Sequence, residues 1–148
     1  MPLRDGFQLA RTGVLAAVLA LCCGTAAVAQ TGNLELELNT SADVAGACRL
    51  TFVATNGTGV DLTNVAYEVA VWVNSGAVET LMVLEFGALP LSNTRVIQFD
   101  LPRLGCGDLA RINVNGLDAC ETADGPKEVC TKSLNASSRL PAIAFGLK

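Results

Sequence analysis

Between Asn33 and Asn39 the sequence NLELELN alternates without a break: Leu34, Leu36 and Leu38 fall on one side, Glu35 and Glu37 on the other. Successive side chains of a strand point to opposite faces, whereas a helix repeats every 3.6 residues, so this pattern makes a half-buried strand. The same period returns along the chain. Cys48–Thr55 puts Leu50, Phe52 and Ala54 on one face. Val65–Val73 aligns Val65, Tyr67, Val69, Val71 and Val73, and β-branched residues favour strands. Ala77–Phe86 carries the nearly continuous apolar run Leu81-Met-Val-Leu84. Thr94–Leu101 sets Ile97, Phe99 and Leu101 against Gln98 and Asp100, and Leu109–Asn115 turns Ala110, Ile112 and Val114 inward. Turn signals separate these runs at Asn56-Gly-Thr-Gly59, Asn74-Ser-Gly76, Gly87-Ala-Leu-Pro90 and Pro102. Six short strands at this spacing read as an all-β sandwich or barrel in one domain.

From Gly116 to Ser138 the alternation fades into a polar stretch, with a helical turn expected near Glu128–Leu134 and a last short strand at Ala142–Phe145. A 23-residue connection needs a staple to be ordered. Two cysteines, Cys120 and Cys130, lie in it.

Residues 1–29 have the three parts of a secretory leader: Arg4 and Arg11, an uncharged core from Val14 to about Cys23, and Ala27-Val-Ala29 before a cleavage expected at Gln30. The uncharged stretch Thr12–Asn33 is 22 residues, long enough to span a bilayer. Its last third, however, is small and polar, and no basic stop signal follows. A lipid-modified Cys22 or Cys23 would want a small residue before it, and Leu21 and Cys22 stand there instead. The expected localisation is the periplasm or the exterior, with no membrane attachment after cleavage.

Four cysteines then remain, Cys48, Cys106, Cys120 and Cys130, at spacings of 58, 14 and 10. No CxxC pair and no His accompany them, so two disulfides are expected rather than zinc. If the strands run up and down, Cys48 at the start of its strand and Cys106 just before the 109–115 strand share one pole, and Cys120 falls at the other. This favours Cys48–Cys106 and Cys120–Cys130.

Charge excludes further classes. Without Arg4, Arg11 and Asp5, the 10 basic and 14 acidic residues become 8 and 13, a net of −5 with no basic stripe. Nucleic acid and anionic membranes need a positive footprint. A Ser–His or Cys–His nucleophile needs a His, and there is none. Lys127, Lys132 and Lys148 with Ser133, Ser137 and Ser138 are the components of a Ser–Lys pair, in a stretch where both types are common. Asp118, Glu121, Asp124 and Glu128 could suit Ca²⁺, but the EF-hand spacing fails, with Cys120 and Thr122 at the first ligand positions. Glu35 and Glu37 read as solubilising an edge strand, not as paired catalytic acids. Asn39, Asn56 and Asn135 open glycosylation patterns expected to be unused. No catalytic residue, metal ligand or cofactor is therefore assigned. Trp72, the single tryptophan, lies on the strand face opposite the valines and is the candidate contact residue, with core packing as the alternative.

The segment Cys48–Leu101 has an ordered set of features: a strand ending in Thr-Asn, a loop with Asn-Gly and Leu62, a Val-rich strand ending in Asn-x-Gly, an apolar strand closing on Gly-x-Leu-Pro, and an amphipathic strand. It resembles the immunoglobulin-like domains of the FxLYD type found in prokaryotic envelope and secreted proteins. It departs from them in having Val71-Trp-Val-Asn74 where they carry an aromatic-hydrophobic-Tyr-Asp run. The resemblance implies an antiparallel immunoglobulin-like sandwich of about six to seven strands, expected from the strand pattern over 30–115; the four cysteines and the disulfide-stapled C-terminal tail (116–148), expected on the same domain, are additions to that type. It implies no enzymatic activity. The expected function is a non-catalytic interaction module of the cell envelope whose partner is another envelope protein. The alternatives are a structural or stress-related envelope protein without a dedicated partner and, behind it, a small hydrolase.

Overall fold

The computed structural model describes residues 32–147; the leader expected at 1–29, the cleavage before Gln30, and Lys148 lie outside the described residues. The described chain is an all-β sandwich of two sheets. The first sheet has the order β5-β2-β1-β8, from β1 (Leu34–Val44), β2 (Ala47–Asn56), β5 (Thr94–Pro102) and β8 (Leu134–Ser138). The second has β4-β3-β6-β7, from β3 (Leu62–Val73), β4 (Val78–Leu89), β6 (Leu109–Thr122) and β7 (Gly125–Pro126), with β9 (Ala144–Gly146) paired to β6.

The inner faces are those the alternation assigns. Leu34, Leu36, Leu38, Leu50, Phe52 and Ala54 of the first sheet meet Val65, Tyr67, Val69, Val71 and Ile112 of the second, all fully or almost fully buried. Phe52 is the hub: Phe86, Phe99 and Phe145 approach it edge to face at 5.6, 5.8 and 5.1 Å between centroids. This geometry suits the ring quadrupole and adds to the apolar burial. A two-residue turn at Ala45 (φ 37°) and Gly46 (φ 81°) joins β1 to β2, and positive φ at both positions matches the twist of a hairpin.

The turn after β2 is a polar knot rather than a loose loop. Asn56 is fully buried; its amide donates to the carbonyls of Val60 and Leu89 at 2.8 and 2.7 Å, and its Oδ1 accepts from Thr58 N and Oγ1. The left-handed residue here is Gly59 (φ 88°). Gly57 is required for space instead, because a Cβ there would stand 2.8 Å from the Asn33 carbonyl oxygen.

Three expectations are corrected. The strand read as 109–115 continues to Thr122, so the division at 115/116 falls inside β6 and Cys120 lies within a strand, not beyond it. A bulge at Asn115, where Glu68 pairs with Gly116 and Val69 with Val114, breaks the alternation and hides the continuation. The polar stretch after it holds β7, the one-turn helix α1 (Val129–Lys132) and β8. Nor is the sandwich wholly antiparallel: β8 runs parallel to β1 and β9 parallel to β6. Consequently β1 is an interior strand, and Glu35 and Glu37 do not line a free edge.

Cys48 is bonded to Cys106, tying the start of β2 to the turn before β6, and Cys120 of β6 is bonded to Cys130 of α1. Tyr67 reinforces the second link: its buried hydroxyl donates to the Cys130 carbonyl at 2.7 Å, and burial pushes that hydroxyl's pKa well up. Both disulfides are compatible with an oxidising compartment. Among the described residues no helix is long and apolar enough to cross a membrane.

Candidate functional site

Trp72 lies near the end of β3 on the outer face of the second sheet, not in the core. Its neighbours Val71 and Val69 point inward and are buried, while Trp72 itself is half-buried. Opposed residues on paired strands share a face, so the register defines its surroundings. Trp72 faces Arg111 and Ala70 faces Asn113, across β3 and β6; Arg111 and Asn113 in turn face Ala144 and Gly146 of β9. Three small residues, Ala70, Ala144 and Gly146, therefore sit low between one aromatic, one cationic and one amide side chain. The result is an open groove of about 450 Å³ lined by these residues with Asn115, Phe145 and Leu147.

Its lining is mostly apolar, with a few polar groups set into it. The Arg111 guanidinium carbon stands 4.4 Å from the Trp72 ring centroid, a cation–π contact. Arg111 is exposed and makes no salt bridge among the described residues; the three formed are Arg49–Asp100, Lys132–Glu128 and Arg139–Glu37. Asn115 donates to the Glu68 carboxylate on β3. Asn113 Nδ2 donates to the Leu147 carbonyl at 3.4 Å. Among the described residues two buried atoms have no hydrogen-bond partner: Trp72 Nε1, a donor, and Asn113 Oδ1, an acceptor. Both belong to the groove, on diagonal positions of neighbouring strands. An unpaired buried group of this kind costs about 1–3 kcal/mol unless water reaches it.

Among the described residues the remaining candidates lie apart from this groove. Lys132 pairs with Glu128, and Ser138 Oγ donates to the Ile143 carbonyl at 2.6 Å. Asp118, Glu121, Asp124 and Glu128 are all exposed, and among the described residues no three His, Cys, Asp or Glu side chains come together as a metal site would need. Asn56, in the second glycosylation pattern, is the buried hub of the turn knot. Arg111, Asn113 and Asn115 were the residues that sequence reasoning missed. Their alternation with Ile112 and Val114 was visible, but polar residues at every second position of a strand read only as a wet face.

No family model matches this chain, and no curated protein and no solved structure matches it either.

Proposed function

We propose that this protein is a non-catalytic interaction module of the cell envelope, working in the periplasm or outside the cell, and that it contacts another envelope protein through the Trp72 groove. The observation that carries this reading is the coincidence of Trp72 Nε1 and Asn113 Oδ1, both unpaired, in one groove. A polypeptide offers both missing groups, a carbonyl for the indole N–H and an amide N–H for the Asn113 oxygen. Arg111, exposed and without a salt bridge among the described residues, lies over the Trp72 ring beside them. Tryptophan and arginine are also the residues that most often carry binding energy at interfaces. The kinship with FxLYD-type immunoglobulin-like domains belongs to the same proposal. It is supported by the pattern of Cys48–Leu101 and by strand neighbours in which β2 lies between β1 and β5, and β3 between β4 and β6.

The test is in-cell cross-linking of a C-terminally tagged chain, recovery, and mass spectrometry. One envelope protein should be recovered repeatedly with the wild type and with Gln98→Ala on the opposite sheet, and lost with Trp72→Ala and Asn113→Ala. Recovery of no specific protein across several growth conditions, or recovery unaffected by both groove variants, rejects the reading and leaves a structural envelope role.

A further inference from the structure

The chain contains two Asn-Gly steps, Asn56-Gly57 and Asn115-Gly116, and the fold treats them in opposite ways. An asparagine followed by glycine can lose ammonia from its side chain, because the next backbone nitrogen, with no Cβ beside it, reaches the amide carbon. The reaction needs room for a five-membered ring, a backbone free to rotate, and water. Asn56-Gly57 has none of these. Asn56 is fully buried, with its amide held by four hydrogen bonds. The Gly57 nitrogen donates to the Asn33 carbonyl at 2.9 Å, and a Cβ on Gly57 would stand 2.8 Å from that same oxygen. Asn115-Gly116 has all three. Asn115 is exposed and stands at the bulge of β6 with no residue of β3 opposite it, since Glu68 pairs with Gly116 and Val69 with Val114. Among the described residues no strand flanks this step on its other side: β9 pairs with β6 at Arg111–Asn113, and β7 at Glu121–Thr122. Apart from its chain neighbours, nothing lies within 4 Å of a Cβ built on Gly116. The Asn115 side chain makes one hydrogen bond among the described residues, from Nδ2 to Glu68.

We propose that Asn115 is a site of spontaneous covalent modification, converting through a cyclic imide with Gly116 to aspartate and isoaspartate. The Gly116 nitrogen bonds to Cγ of Asn115 and gives up its proton. The Cγ–Nδ2 bond breaks, and Nδ2 leaves as ammonia with that proton and its own two. One water molecule then opens the ring; attack at Cγ yields aspartate, and attack at the backbone carbonyl yields isoaspartate. Nothing is oxidised or reduced. Either product replaces a neutral amide by a carboxylate that is ionised at neutral pH. The donor to Glu68 is thereby lost, two carboxylates meet across the bulge, and the groove lined by Asn115 and Arg111 gains a negative charge. Isoaspartate also lengthens the main chain of β6 by one methylene, at the position where the bulge already accommodates an unpaired residue. The modification does not depend on what the groove binds.

The purified protein with both disulfides formed is held in mildly alkaline buffer beside a reduced, unfolded sample, until both Asn-Gly steps of the unfolded chain have converted. Reduction, digestion with trypsin and tandem mass spectrometry then read the two steps separately. The peptide Ile112–Lys127 carries Asn115, and Leu50–Arg95 carries Asn56. In the folded protein Asn115 is expected to convert, with the mass gain of an amide replaced by a carboxyl, and Asn56 to stay intact. Gly116→Ala puts a side chain beside the attacking nitrogen, at a position with open space and no positive φ. It should leave the circular dichroism unchanged and slow conversion about tenfold or more, equivalent to about 1.4 kcal/mol of barrier. A folded protein in which Asn115 stays intact while the unfolded chain converts overturns the proposal. So does conversion of Asn56 as fast as Asn115 in the folded protein, or a Gly116→Ala variant that converts at the wild-type rate.

Discussion

Removing each disulfide separately should reveal how unequal the two are. In the chain-entropy account a cross-link stabilises by restricting the unfolded state, and the restriction grows with the logarithm of the loop it closes. Cys48–Cys106 closes a separation of 58 residues and Cys120–Cys130 one of 10. These correspond to about 4 and about 2.7 kcal/mol, a difference near 1.5 kcal/mol that comes from loop length alone. The comparison is fair on packing, because each bond has at least one fully buried sulfur-bearing residue, Cys48 and Cys130. The perturbation is the paired substitution of Cys48 and Cys106 by Ala in one variant, and of Cys120 and Cys130 by Ala in the other. Urea unfolding is followed by Trp72 fluorescence and by far-ultraviolet circular dichroism, with the midpoints converted through the slope. The long-loop variant should lose the greater stability, with coincident transitions and equal slopes in both variants. If the short-loop variant loses as much or more at equal slope, the loop-entropy reasoning fails here. The stabilising role of Cys130 would then lie in holding α1 against Tyr67.

Further outcomes follow from particular contacts. Tyr67→Phe keeps the ring and orphans the Cys130 carbonyl, so it should cost about 1–2 kcal/mol in urea unfolding and raise amide exchange across Val129–Ser133. Gly57→Ala drives a Cβ into the Asn33 carbonyl, and the backbone must shift, at a cost of about 1–3 kcal/mol in the same assay. Asn56→Ala removes four hydrogen bonds from a buried turn and should cost about 3 kcal/mol or more, lowering the midpoint the most among these single changes. The hydrogen bond from Arg49 holds the Asp100 carboxyl below its ordinary pKa. The small contribution of that exposed pair is therefore present above the ordinary carboxylate pKa and lost as pH falls through the depressed value. Carboxyl carbon titration by NMR should place Asp100 below free aspartate in the wild type and return it toward the ordinary value in Arg49→Gln.

Much of this protein follows from a period of two. The alternation determined that the chain is β, that Leu34, Leu36 and Leu38 share one inward face and Val65, Tyr67 and Val69 another, and that Trp72 stands on the face opposite the valines. It could do so because hydrophobic burial acts on side chains, and a strand writes its two faces directly into the order of its residues. Partnership between backbones leaves no such trace. The parallel pairing of β8 with β1 is made by N–H and C=O groups that every residue carries, and Leu134–Ser138 offers only Leu134 and Ala136 as apolar positions, too brief an alternation to mark a strand. The Asn115 bulge hid the continuation of β6 to Thr122 in the same way, since an extra residue reverses the apparent faces beyond it. Alternation also separates two faces without saying what covers either. Leu81-Met-Val-Leu84 is a nearly continuous apolar run, yet the first sheet stops short of Thr80, and Leu81 and Val83 meet solvent. Arg111, Asn113 and Trp72 become a site only because β6 and β9 run beside β3 in one register, a placement that three strands far apart in sequence can acquire only by folding.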